Sequence, residues 1–229
     1  MKRYLSIWLI GFFFLGSTAT YLQAQDQPAI HKLKGTFGKM QVGANFLDLE
    51  TINQVLTSTS NGFQALPENF FAVGLGFWKI RKRAIYGVDI YNYMTVRSEL
   101  NNQDAILGYH YGLFKVGLLA HRFPGGWHLY PTVGAGGGLS QLNLRPNTDP
   151  TGTRNYSGGW LFDACLNGSY IVPMVDDSGN QLEFTVALGY MYAPADTWRL
   201  KGLVGPETGN PAPPRGLYFR LGLGMGKWR

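Results

Sequence analysis

The sequence predicts an all-β fold: an eight-stranded antiparallel transmembrane β-barrel with short periplasmic turns and long outer loops. Three observations carry that expectation. Beyond residue 25 the chain falls into segments in which apolar and polar side chains alternate. The connections between segments run long, short, long, short. Almost nowhere does the 3.6-residue rhythm of a helix appear. A barrel closed in lipid needs this pattern, because lipid-facing and lumen-facing side chains must alternate and closure leaves no backbone edge unpaired in hydrocarbon. The 31 glycines alone would suit low-complexity sequence, but here they interleave with Tyr, Phe and Trp at period two.

Residues 1–24 read as a secretory signal peptide and 25–229 as one barrel domain. Lys2 and Arg3 form a charged start, Tyr4 to Gly16 an apolar run, and Leu22-Gln23-Ala24-Gln25 a cleavage region, with cutting expected after Ala24. The apolar run is shorter than the roughly 20 residues a helical span needs, and no later stretch reaches that length. With Lys2 and Arg3 removed, the formal charge of +6 falls to a mild excess that does not point to nucleic acid. The single cysteine, Cys165, excludes an internal disulfide and any CxxC zinc or redox site. No cofactor motif is present, and His31, His110, His121 and His128 show no metal-ligand spacing.

The strands follow in order. The first sets Met40, Val42, Ala44 and Phe46 against Lys39, Gln41, Gly43 and Asn45. The second sets Phe71, Val73, Leu75 and Phe77 against Ala72, Gly74 and Gly76, and the third sets Tyr86, Val88 and Ile90 against Gly87, Asp89 and Tyr91. The fourth, Ala105 to His121, has the weakest pattern, and its apolar phase slips near Leu113-Phe114, where a bulge or a mis-set boundary would shift every later side chain by one face. In the fifth, Trp127, Leu129 and Val133 oppose His128, Tyr130 and Thr132; in the sixth, Trp160, Phe162 and Leu166 oppose Asp163, Cys165 and Asn167. The seventh opposes Leu182, Phe184 and Val186 to Glu183, Thr185 and Ala187, and the last opposes Leu217, Phe219 and Leu221 to Tyr218, Arg220 and Gly222.

Long connections are expected at Asp48 to Asn69, Asn143 to Gly158 and Ala193 to Arg215, and a moderate one at Arg97 to Asp104. Short ones fall at Arg81-Lys82-Arg83, Phe123 to Gly126 and Pro173 to Asn180. With both termini at one end, the short turns lie in the periplasm and the long loops outside. In this layout, its glycine-aromatic texture and its final strand GLYFRLGLGMGKWR, the whole mature chain resembles the small eight-stranded outer-membrane β-barrel proteins of the OmpX- and OmpA-like class. That family usually ends in an outward-facing aromatic; here Trp228 is penultimate and out of phase with Leu217 to Met225.

If the apolar faces meet lipid, the polar faces fill a lumen just wide enough for side chains. Charges there must be paired, so Lys39, Asp89, Asp163, Glu183 and Arg220 are expected to form a buried ion-pair network, with Glu183 the first partner sought for Arg220. Arg145, Arg154, Trp198, Arg199, Lys201 and Arg215 in the outer loops suit phosphate or another acidic ligand. The expected function is a barrel with a plugged lumen in the outer membrane of a Gram-negative bacterium. It would act structurally or present its loops to a partner, with membrane lipid, lipopolysaccharide and an envelope protein as candidate partners and no nucleic acid. The alternatives are a lipid-modifying enzyme and a narrow ion channel. Catalysis is disfavoured because no Ser stands beside a His and no GxSxG elbow occurs, although Ser169 and His128 share the predicted lumen face.

Overall fold

Each predicted segment forms a strand, and the strands close on themselves. The computed structural model describes residues 34–58, 62–100, 103–123, 125–145, 152–174, 180–194 and 215–228; the predicted signal peptide lies outside them. In chain order the elements are β1 (Lys34–Leu47), α1 (Glu50–Leu56), β2 (Asn69–Arg81), β3 (Ala84–Tyr93), β4 (Val96–Leu100), β5 (Gln103–Leu118), β6 (His121–Arg122), β7 (Trp127–Arg145), β8 (Thr153–Pro173), β9 (Asn180–Tyr192) and β10 (Gly216–Trp228). All pairings are antiparallel. β1 joins β10 from Gly35↔Trp228 to Leu47↔Gly216, and β5 joins β7, so the circuit β1-β2-β3-β5-β7-β8-β9-β10 is a closed eight-stranded barrel.

β4 and β6 are continuations of β3 and β5 across bulges. Asn92 faces His110 and Val96 faces Leu107, so the β3–β4 side carries one residue more than β5 around Met94-Thr95. Gly117 faces Thr132 and His121 faces Leu129, which puts a second extra residue at Leu118 to Ala120. The slip expected at Leu113-Phe114 is therefore not there. Alternation runs unbroken through β5, with Leu113 inside and Phe114 outside. The upper inner face of β5 is itself apolar, from Ala105 through Leu107 to Leu113, and two apolar faces in one strand imitate a change of phase.

Two connections are shorter than expected. Leu144 pairs with Thr153 and Leu100 with Gln103, so most of Asn143 to Gly158 and of Arg97 to Asp104 is hydrogen-bonded strand. β7 and β8, at 19 and 21 residues, exceed the ~9–11 that cross a bilayer. Where both faces meet water the alternation fades while the ladder continues.

The outward face is apolar around the circuit. Met40, Leu75, Phe77, Ile90, Phe114, Val133, Trp160, Phe184, Leu188 and Leu221 are all exposed. Soluble monomers rarely show a continuous apolar patch beyond a few hundred Å². This inverted distribution, with charges buried and large hydrophobic residues outside, is that of a barrel solvated by lipid.

Candidate functional site

The middle of the barrel interior holds three cations, Lys39, Lys115 and Arg220, and three carboxylates, Asp89, Asp163 and Glu183, all at most 4 % exposed. Each stands on the inner parity of its strand. Lys115 sits between two acids: its Nζ lies 2.7 Å from Asp163 Oδ1 and 3.6 Å from Asp89 Oδ2. Asp89 accepts further hydrogen bonds from Trp78 Nε1 at 2.7 Å and Gln41 Nε2 at 3.2 Å. The Tyr91 hydroxyl lies 2.8 Å from Gln41 Oε1 and 3.2 Å from Asp89 Oδ2, able to donate to either. The Tyr218 hydroxyl donates to Asp163 Oδ2 and accepts from Lys115 Nζ at 3.4 Å.

Arg220 is held differently from the expectation. Among the described residues no carboxylate lies in ion-pairing range of it. Its guanidinium carbon sits 3.8 Å from the Tyr91 ring centre and 3.7 Å from that of Tyr218, and its Nη2 donates to Tyr111 Oη and to Asn45 Oδ1 at 3.4 Å. Stacking on π faces suits Arg, whose planar cation is weakly hydrated. Glu183 instead lies with Lys39 over Gly224, where an added Cβ would stand 3.0 Å from Lys39 Cβ and 3.2 Å from Glu183 Oε2. The Lys39 ammonium is 4.2 Å from the Trp78 ring centre.

Glycines make room for these large groups. A Cβ at Gly74 would meet the Tyr91 ring at 2.2 Å, and one at Gly189 would meet the Tyr218 ring at 2.4 Å. Only a residue without a side chain lets those rings lie flat against the wall.

Sequence reasoning missed Lys115 and Trp78. Both were readable: carrying the parity of Tyr111 past the supposed slip puts Lys115 inside, and extending the second strand by one residue puts Trp78 there.

Toward the loop end the interior turns apolar. Leu47, Phe70, Tyr93, Leu107, Tyr109, Leu142, Leu144 and Met191 pack together, and the first long connection folds down onto them. Leu49, Ile52 and Leu56 of this connection are buried, as are Phe63 and Leu66 beyond α1. Asn53 clamps the segment, donating to Leu66 O at 3.0 Å and accepting from Leu66 N at 2.8 Å. Ser98 Oγ of β4 donates to Gln64 O at 3.0 Å.

Of the outer-loop set, Arg145 and Arg154 are exposed on the β7–β8 hairpin, Arg145 opposite Asp104 and Arg154 opposite Asn143 in register. Arg215 is half-buried two strands away, where its carbonyl accepts from Asp48 N. Trp198, Arg199 and Lys201 lie outside the described residues. Arg97 is already engaged, with Nη2 2.8 Å from Asp104 Oδ2 and 3.2 Å from Glu99 Oε2; the Asp104 hydrogen bond and charge raise its pKa.

Ser169 faces His128 in register on β8 and β7, and both side chains are buried inside the barrel. Cys165 is buried as well.

No protein-family model matches the sequence, and no curated protein does. Among solved structures the chain is similar to Neisserial surface protein A, at 10% identity over 85% of this chain and 96% of that one, with a TM-score of 0.39. It is similar to Ail, the attachment invasion locus protein of Yersinia pestis, solved with the heparin analogue sucrose octasulfate, at 12% identity over 86% and 99% and a TM-score of 0.41. It is also similar to the N-terminal β-barrel domain of Pseudomonas aeruginosa OprF, at 10% identity over 85% and 97% and a TM-score of 0.30.

Proposed function

We propose that this chain is an integral outer-membrane protein of a Gram-negative cell envelope, exported by a cleaved signal peptide at residues 1–24. Its lumen is plugged, and it acts structurally or by presenting its outer loops to a ligand or partner, including as a subunit of an envelope complex. The observation that carries this reading is the inverted barrel: a circuit of exposed apolar side chains around six buried charges. A pore needs a continuous wet path. The guanidinium of Arg220, packed between two tyrosine rings, and the buried apolar cluster beneath α1 support the plugged reading.

Lys39, Asp89, Asp163, Glu183 and Arg220, joined by Lys115, serve in this reading as the buried network that holds the plug. Arg145 and Arg154, with Trp198, Arg199, Lys201 and Arg215 of the last loop, are the proposed contact residues for lipopolysaccharide phosphates or an acidic partner surface. A lipid ester would have to enter the closed barrel to reach Ser169 and His128, which argues against lipid-modifying catalysis. The test is purified protein refolded into vesicles and planar bilayers. Folding should shift its gel mobility on heating, and conductance should stay at baseline. A steady open-pore current would overturn the plug.

A further inference from the structure

At the turn end of the barrel, four outward-facing cations surround one threonine. Thr36 of β1 stands opposite Lys79 of β2 and Lys227 of β10, and Lys34 stands opposite Arg81. All five are exposed. Neighbouring strands are about 4.8 Å apart, so Lys79 and Lys227 flank Thr36 within about 10 Å of each other. These residues line a groove of about 680 Å³ with Gly35, Ile80 and Gly226. Among the described residues no carboxylate is in ion-pairing range of any of the four, whereas Lys115 and Arg97 are each matched by acids.

One outward step up each strand, the apolar band begins with Gly38, Phe77 and Met225, and Met40 follows. Gly38 leaves a trough between its neighbours: an added Cβ would come within 3.7 Å of the Phe77 ring. A cluster of unmatched cations therefore opens directly onto an apolar trough at the membrane boundary.

We propose that this rim binds an anionic phospholipid of the leaflet at the turn end. Lys34, Lys79, Arg81 and Lys227 hold its phosphate, the Thr36 hydroxyl donates to a phosphate oxygen, and an acyl chain lies over Gly38 against Phe77 and Met225. A soluble phosphate would use the cations alone. The continuity of charge with the trough selects a molecule that carries both a phosphate and a hydrocarbon chain. The inference rests on the membrane reading proposed above.

The experiment separates the two. Insertion of the wild type into pure phosphatidylcholine vesicles, scored by heat-modifiable mobility, tests the membrane reading by itself. Native mass spectrometry of protein released from mixed phosphatidylglycerol and phosphatidylcholine nanodiscs then counts retained lipid. The wild type should retain phosphatidylglycerol preferentially, and Lys79→Gln with Lys227→Gln should cut that preference about fivefold per cation removed. Arg122→Gln, an exposed cation on β6 on the far side of the strand circuit, should leave it unchanged. Glycerophosphoglycerol, which lacks chains, should fail to displace the lipid. Equal retention of the two lipids by wild type, equal preference in the glutamine variant, or displacement by the chainless headgroup would each overturn the proposal. Should the glutamine variant not insert, the wild-type lipid ratio decides it.

Discussion

Lys115 and Arg220 are both buried cations, yet their surroundings predict different costs of removal. Lys115 stands between Asp89 and Asp163, so Lys115→Met strands two carboxylates in a medium that cannot solvate them, at roughly 3–5 kcal/mol. Arg220→Met removes three cation–π contacts and two hydrogen bonds but leaves no carboxylate of a salt bridge behind; about 2–4 kcal/mol is expected. Urea unfolding in vesicles should rank Lys115→Met as the more damaging. Adding Asp163→Asn to it should restore part of the loss, and strict additivity would show that the pair does not couple. Glycines give a second contrast. Gly189→Ala drives a methyl into the Tyr218 ring, for an overpacking cost of about 1–3 kcal/mol, whereas Gly168→Ala meets nothing within 4 Å and should change little. Each inner charge named from sequence is buried, because parity alone decides the face. Which charge meets which was not legible, since diagonal contacts across the lumen depend on shear between strands. Glu183 looked like the partner of Arg220 by strand adjacency, yet tyrosines from β3 and β10 reach it first.

At the scale of the element, alternation located every barrel strand but not every end. Strand limits in lipid are marked by chemistry on two faces; beyond it, as in the β7–β8 hairpin, water touches both and the pattern disappears. α1 escaped for another reason. Its seven residues cannot hold a helix in isolation, and Leu49, Ile52 and Leu56 acquire a reason to be helical only from the apolar mouth they cover. Face identity can be tested directly. Val186 is outward on β9, so Val186→Arg should cost about 2–4 kcal/mol near mid-membrane and Val186→Leu almost nothing. Thr132 is inward and accepts a hydrogen bond from Asn167 Nδ2 at 3.1 Å, with Gly117 pressed against it. Thr132→Arg would lose that hydrogen bond and bury a cation without a partner, so it should also destabilise while Thr132→Val costs only the hydrogen bond. Tolerance of Thr132→Arg would mean an interior emptier than described.

For the whole molecule, closure puts the first and last strands side by side. In intact cells Thr57→Cys should react with a thiol reagent that cannot cross membranes, and Lys82→Cys should not. Both positions are exposed at opposite ends of the barrel, and the native Cys165 should stay silent because it is buried. Labelling at position 82 with silence at 57 would invert the orientation. The architecture was readable from one property, the two-residue period, because a closed barrel in lipid permits no other arrangement of its faces.

The β1–β10 seam has a consequence in time. It is the pairing of greatest sequence separation, so the entropy of loop closure delays it behind the hairpins. Arg220 on β10 meets Asn45, 175 residues away, and Tyr111, 109 residues away, only once that seam is shut. Contacts made after the rate-limiting step act on the exit from the native state and hardly on the approach to it. The latch formed by Arg220 and its tyrosines would then be a device of persistence. Its loss should shorten the lifetime of the inserted barrel far more than it slows insertion, and once the seam opens the strand edges have no fast way back.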